Sequence, residues 1–389
     1  MGCSIMSELK VDTIVNVAGS GKPNLPVSPT LGGAAISAAN TYSYTSSGTE
    51  PSSPKNGAIW WDSTNNKVYV YINGEFKQIE LNASAASGIA WGGARGIWTG
   101  GNEDGTRVNR IQYAAIATPG NTSDFGDLTA AREWPAACSN GSRSIVAGGY
   151  DGATSASTDI IDYFATATTG NAQDFGNLLR ADRFKAACSD GASNTGRGLI
   201  MGGGATNYEE VIEYVVIANT GNSSDFGDLT GGRRYLAAAA SATRGVFMGG
   251  LYSDEVNTID YVTISTAGNA TDFGDLLQIV RGGAASSDTT RILHSGGYAN
   301  NTDKTNTIQY ITTATAGNAT DFGDATVTVE RHGACSDGTY HVNGGGYNSS
   351  NARINNMDYV TIQTLGNAQD FGDLLAINSG VSSSSGAAS

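Results

Sequence analysis

Charge is scarce in this sequence: Asp, Glu, Lys and Arg together make up 15% of it. Long amphipathic helices need Leu, Glu and Lys at helical spacing, and a chain this poor in charge cannot supply them. Basic residues are the scarcer kind, 22 Lys and Arg against 36 Asp and Glu, for a net charge of −14. A binder of phosphate backbones needs a basic face to release counterions, which argues against nucleic acid as the main partner. Cysteine is limited to Cys3, Cys138, Cys188 and Cys335, too few and too dispersed for a disulfide framework. No CxxC or Cys/His cluster exists, and His294, His332 and His341 are the only histidines, so no metal or other cofactor is expected. No run approaches the roughly 18 apolar residues of a membrane-spanning helix, so no membrane insertion is expected. The stretch 1–10 lacks the apolar core of a secretory leader; release from a cell would then need another route, such as lysis.

Glycine is what the chain has in excess, 53 copies among 389 residues, with Ala, Ser, Thr and Asn filling most of the remainder. Such a mixture builds short strands joined by glycine turns, which points to an all-β class. The glycines are also ordered. Asp-Phe-Gly-(Asp/Asn) occurs at 124–127, 174–177, 225–228, 272–275, 321–324 and 370–373, with successive starts 50, 51, 47, 49 and 49 residues apart. A paired glycine ends an apolar run at 100–101, 148–149, 202–203, 249–250, 296–297 and 344–345, and a tyrosine follows each time, from Tyr113 to Tyr359. Three markers in register six times identify a repeat protein of six units.

Each unit reads as four strands. In the third copy these are the small-residue run Ala186–Ser189, the apolar run from Arg197 to the paired glycine, the alternating stretch Val211–Ile217, and a strand around Asp225-Phe226-Gly227. Ala, Ser and Cys suit an innermost strand, where repeats converge and large side chains have no room. The fold this predicts is a six-bladed β-propeller. From the tyrosine to the Asp of Asp-Phe-Gly is always 11 residues, whereas from the paired glycine to the tyrosine the count varies between 11 and 14. In a four-stranded meander the variable loops share one face with the connections between units. That face is the candidate working surface.

The pattern of an apolar run with Gly-Gly, then Ile-x-Tyr, then an aromatic in the fourth strand and Arg before a small-residue strand resembles the kelch repeat, with Phe in place of the usual Trp. The wording of Ile259–Ile264 followed by residues 267–275 is similar to kelch-like proteins of marine bacteriophages. Residues 6–14 and 21–26 resemble the start of virion proteins in such phages. The stretch 57–62 followed by 67–76 looks like a small β module of phage tail fibres. The resemblance covers about residues 83–389, with these short motifs before it. It implies a virion protein, on the tail or the particle surface, that binds a host-surface glycan or protein through its variable loops. The alternative it leaves is a structural component without receptor binding: spacer, nozzle element or capsid decoration. It further implies a homo-oligomer, a trimer by analogy with tail fibres. A glycan-degrading enzyme ranks below both, because the boxes of sialidase-type propellers are absent.

Along the chain, residues 1–35 read as a segment attaching to other virion tail proteins, 36–56 as a Ser/Thr/Ala-rich linker, 57–82 as a β-hairpin module with turns at 65–66 and 73–74, and 83–389 as the propeller. The hairpin module is too small to bury a core alone and is expected to pack on the propeller or a neighbouring chain. Two segments compete to complete the first unit, 87–93 and 381–386; the C-terminal one is favoured.

Several motifs invite chemistry. Asp-Phe-Gly resembles the kinase metal motif, but no nucleotide loop accompanies it; the expected role is a turn with Phe packed between units. Gly19-Ser20-Gly21-Lys22 lacks the spacing of a phosphate loop. The Asn-x-Ser/Thr triplets at Asn121, Asn222, Asn269 and Asn318 read as by-products of the repeat. Cys138, Cys188 and Cys335 read as buried structural thiols. Arg132, Arg183, Arg233, Arg281 and Arg331 recur before the innermost strand, either pairing with the Asp of Asp-Phe-Gly-Asp or forming a ring of guanidinium groups for anionic ligands. Tyr150, Tyr208, Tyr252, Tyr298 and Tyr347 stand near the starts of the variable loops, either stacking on sugars or packing on their own unit.

Overall fold

A computed structural model of the chain describes residues 93–191, 196–288 and 290–386. Before these it describes residues 15–16, 23–24, 30–31, 34–35, 44–47, 49, 51–52, 58–62, 67–72 and 75–79. The chain divides into two compact units, Met1–Ser87 and Gly88–Ser389. All regular structure among the described residues is strand, arranged in small and almost wholly antiparallel sheets.

In the larger unit the repeat becomes a series of four-stranded antiparallel sheets. The third is Ala186–Ser189, Arg197–Met201, Val211–Val216 and Ser224–Asp228, hydrogen-bonded in chain order. The second strand is buried almost throughout, the third buries Ile212, Glu213 and Val215, and the outer strand buries only its Phe. The second, fourth, fifth and sixth sheets follow the same order. The first is assembled from both ends of the unit: Ser123–Asp127, Arg110–Ala115 and Arg95–Thr99 are joined by Ser382–Gly386 in the innermost place. The Thr99 and Ser382 hydroxyls seal this pairing at 2.7 Å. The rival segment 87–93 lies outside the described residues except for Gly93, as do Cys3, Gly19–Lys22 and the two expected hairpin turns. The six innermost strands lie side by side in cyclic succession, with Ser382–Gly386 touching both Ala136–Ser139 and Gly333–Ser336.

Asp-Phe-Gly is a β-bulge in the outer strand. In the first sheet Ile111 faces Gly126 while Gln112 faces Asp124, so Phe125 is the extra residue, and the shift recurs in the other five. The bulge turns Phe inward, 2–3% exposed, edge-on to the strand tyrosine at 5.7–6.1 Å. It leaves the leading Asp exposed on the strand, not in a turn. The motif glycine has φ between 139 and 150°. A Cβ there would come within 2.4–2.6 Å of backbone in a neighbouring unit, Gly126 against Gly170 and, at the far end, Gly372 against Gly120. Only glycine permits that approach. The following Asn clasps it: Asn171 accepts from the Asp127 N–H at 3.1 Å, and Asn121 from the Asp373 N–H at 3.0 Å. The triplet residues Asn121, Asn222, Asn269 and Asn318 all accept such a bond and are therefore splints between sheets, a role the repeat alone did not disclose.

The sixth glycine pair also shifts by one. Gly345 and Gly346, with φ of 74 and 105°, match Gly100 and Gly101 at 62 and 103°. Gly344 ends the preceding strand; a triple glycine hides this register in the sequence.

In the smaller unit, Ile59–Asp62, Lys67–Ile72 and Glu75–Ile79 form an antiparallel meander. Tyr44–Ser47 adds to it in parallel, so the stretch expected as a linker contributes a strand. A Ser/Thr-rich composition does not prevent backbone pairing, and parallel addition needs the longer connection found here. Trp60, 7% exposed, stacks on Tyr69 at 4.9 Å and meets Phe76 edge-on.

Candidate functional site

Two residues before each innermost strand, or the equivalent place in it, the backbone enters the left-handed region. The six residues are Trp134, Phe184, Tyr235, Gly282, Arg331 and Gly380, with φ between 55 and 66°. Glycine adopts this at no cost. Each of the four larger residues gives up about 1–2 kcal/mol to do so. Their peptides close a circle: Phe184 N–H donates to Trp134, Tyr235 to Phe184, Gly282 to Tyr235, Arg331 to Gly282, Gly380 to Arg331, and Trp134 to Gly380, at 2.6–3.4 Å. The second glycine of each pair donates to the same connections, for example Gly149 to Asp182 and Gly203 to Arg233. The variable loops and this circle therefore share one face.

The side chains of the ring gather over a cavity of about 130 Å³ walled below by Ala, Ser and Gly. Trp134 meets Phe184 at 4.5 Å, and Phe184 meets Tyr235 at 4.1 Å. Arg331 lies 5.3 Å from the Tyr235 ring and 5.9 Å from that of Trp134. It reaches both because its neighbours in the circle are the two glycines, and the Trp134 indole fills the space a Cβ on Gly380 would need. Three further guanidinium groups surround the cluster. Arg183 lies 5.0 Å from Phe184, Arg234 5.7 Å from Tyr235, and Arg281 5.8 Å from Tyr235. Burial pushes the Tyr235 phenol up, against the pull of Arg331, Arg234, Arg281 and Arg183, so it stays a neutral donor.

No protein-family model matches the chain, and no curated protein matches it in sequence.

The arginines grouped in the sequence occupy three different places. Arg132 and Arg233 stand two residues before the ring and point into their sheets, 0% and 3% exposed. They pair with Asp162 and Asp260 at 2.9 and 2.8 Å, not with the Asp of Asp-Phe-Gly-Asp. Neither can clamp a ligand. The carboxylates come from the residue before each strand tyrosine, a position that is polar and buried in all six sheets: Gln112, Asp162, Glu213, Asp260, Gln309 and Asp358. Arg183 and Arg281 stand one residue before the ring, joined by Arg234, which the sequence pattern passed over. Arg331 is in the ring itself. The signal for Arg234 was the register of Arg233-Arg234-Tyr235 against the alanine run, and Trp134, Phe184 and Tyr235 share that same register.

The tyrosines divide too. Tyr150, Tyr298 and Tyr347 follow the glycine pair directly and are each stacked by two cations, Arg107 and Arg183 lying 4.2 and 4.3 Å over Tyr150. They buttress the arginines. Tyr208 and Tyr252 belong to the loops and meet at 5.2 Å, with Arg234 over Tyr208 and Tyr252 55% exposed.

Removing one partner of a buried pair strands the other charge. Asp162→Ala is expected to lower stability by about 3–5 kcal/mol in denaturant unfolding. Replacing Arg132 by Met and Asp162 by Leu together should restore most of the loss.

The three histidines also converge in the interior. His341 Nδ1 meets Ser286 Oγ at 2.7 Å, and His341 Nε2 and His332 Nε2 share Ser295 Oγ at 3.1 and 3.2 Å. Ser295 donates to Asn343, which donates on to Asp358. His294 precedes Ser295 and packs against Gly283. Burial pushes His294 and His341 down to about 4; burial with the neighbouring His341 and His294 takes His332 to about 3. Cys138, Cys188 and Cys335 are buried thiols whose pKa burial pushes up.

Proposed function

We propose that the larger unit is a six-bladed, kelch-like β-propeller carried on a bacteriophage particle, where its ring face recognises the surface of the host cell. Six like sheets support the fold. Their innermost strands, glycine clasps and peptide circle all return from the sixth sheet to the first. One observation carries the recognition reading. Aromatic and guanidinium groups converge on the face where the loops differ between copies, on backbone strained to present them. A scaffold needs none of this, since Gly282 and Gly380 fill the same place without a side chain. Binding without bond cleavage suits the groups around the ring, which are arginines and a neutral phenol. Residues 1–35 attach the chain to other tail proteins in this proposal, and it assembles as a homo-oligomer, a trimer by family analogy.

Labelled full-length protein is expected to bind host cells and to compete with adsorption of the particle. An antibody should find the protein at the tail. If it is found on the particle but does not bind cells, the recognition reading fails and a spacer, nozzle or decoration role replaces it.

A further inference from the structure

We propose that the ring is a site for an anionic saccharide, whose carboxylate or phosphate is held by Arg331, Arg234 and Arg183 while sugar faces rest on the exposed aromatic rings. The inference rests on the recognition reading and names the chemistry of the receptor.

The charge around the ring is unbalanced in one direction. Arg281 is offset by Glu255 at 3.0 Å. Among the described residues Arg183 and Arg234 have no carboxylate partner within ion-pair distance, and Arg331 has only Glu330 at 3.7 Å. Arg183 and Arg331 can present a planar fork of N–H donors, the geometry that carboxylate and phosphate oxygens fit, while Arg234, whose Nη1 already donates to the Gly204 and Ala205 carbonyls at 3.5 and 3.3 Å, adds charge and its remaining donors. Nε of Arg183, Arg234 and Arg331 and Nε1 of Trp134 are buried donors with no acceptor within hydrogen-bond distance among the described residues. Uncompensated cations are unexpected on a chain of net charge −14 unless their position is used.

The aromatic groups decide that the anion belongs to a sugar. Trp134 and Tyr235 are partly exposed beside Arg331, and Arg234 links Tyr235 to the Tyr208–Tyr252 pair. Anion sites and stacking surfaces thus alternate along a path from the ring into one variable loop. Flat C–H faces suit such rings, while the charged substituent selects among sugars. The cavity below is small and the ring side chains cap it. The ligand therefore lies across the face, as part of a polymer.

The test uses the full chain and three immobilised polymers: polygalacturonate for carboxylate, phosphomannan for phosphate, and dextran as the neutral arm. Binding is expected to one acidic polymer, weakening as salt rises; which one identifies the anion. Arg331→Gly removes the guanidinium while installing the residue found at two of the six ring positions. It should weaken that binding about 10-fold or more with the melting temperature unchanged or raised. Arg234→Gln should act similarly, and Tyr252→Ala should weaken binding several-fold. Binding to neither acidic polymer, equal binding to dextran, or unaltered affinity in both arginine variants overturns the proposal. If wild-type protein binds host cells in those cases, the recognition reading survives without this site. If it does not bind cells at all, that reading itself has failed.

Discussion

A chain ending at Ser379 is expected to lose cooperative folding of the larger unit at temperatures where the full chain is stable, a loss of more than about 5 kcal/mol. Ser382–Gly386 pairs along the whole of Arg95–Thr99 and is the innermost member of the first sheet. Without it Trp98, now fully buried, stands on an open sheet edge that invites pairing with other chains. The peptide circle breaks as well, because Gly380 donates to Arg331 and accepts from Trp134. Scanning calorimetry of the truncated and full chains measures the effect. An unchanged melting temperature would mean that residues 87–92 can take the vacated place, and closure by the C-terminal strand would fall.

Acid is expected to produce the second large effect. His294, His332 and His341 are held neutral, at about 4, 3 and 4 in the folded state against an ordinary value of 6.5. Above pH 7 both states are neutral and no stability depends on them. Below 6.5 the unfolded chain takes up protons that the folded chain refuses, so stability falls as the pH drops toward 4. By pH 5 each histidine costs about 2 kcal/mol, and the three together about 6. Asp358, Asp182 and Glu103, whose carboxyls burial pushes up, have the opposite sign and offset part of the histidine loss. Denaturant unfolding at pH 7.5, 6 and 5 should show a slope near three protons between the last two. His294→Gln with His341→Gln should reduce it to about one. A wild-type slope of one proton or less would mean the histidines are hydrated or already charged in the fold.

The repeat was readable because each marker answers a local demand. Asp-Phe-Gly recurs since a bulge needs its glycine where a neighbouring backbone comes close, and the paired glycines recur since both need positive φ. Alanine and serine in the innermost strand report crowding. Such constraints act within one unit and its neighbour, so they leave a period in the sequence. The site followed no such rule. Arg132, Arg183 and Arg331 each precede an alanine run by nearly the same spacing, yet one is sealed against Asp162, one stacks on Tyr150 and one lies across the ring. A shift of one residue turns a side chain from the sheet interior to the mouth of the cavity, and sequence spacing alone did not resolve that shift. The same limit hid Gly345–Gly346 within a run of three glycines.

By itself, then, the sequence determined the all-β class, the six units, the strand order within them and the face where they vary, because period and composition reflect contacts that each unit makes alike. The tertiary structure decided which residues meet around the ring. Trp134, Phe184, Tyr235 and Arg331 come from four different units, and they meet because six connections are hydrogen-bonded to one another in a circle.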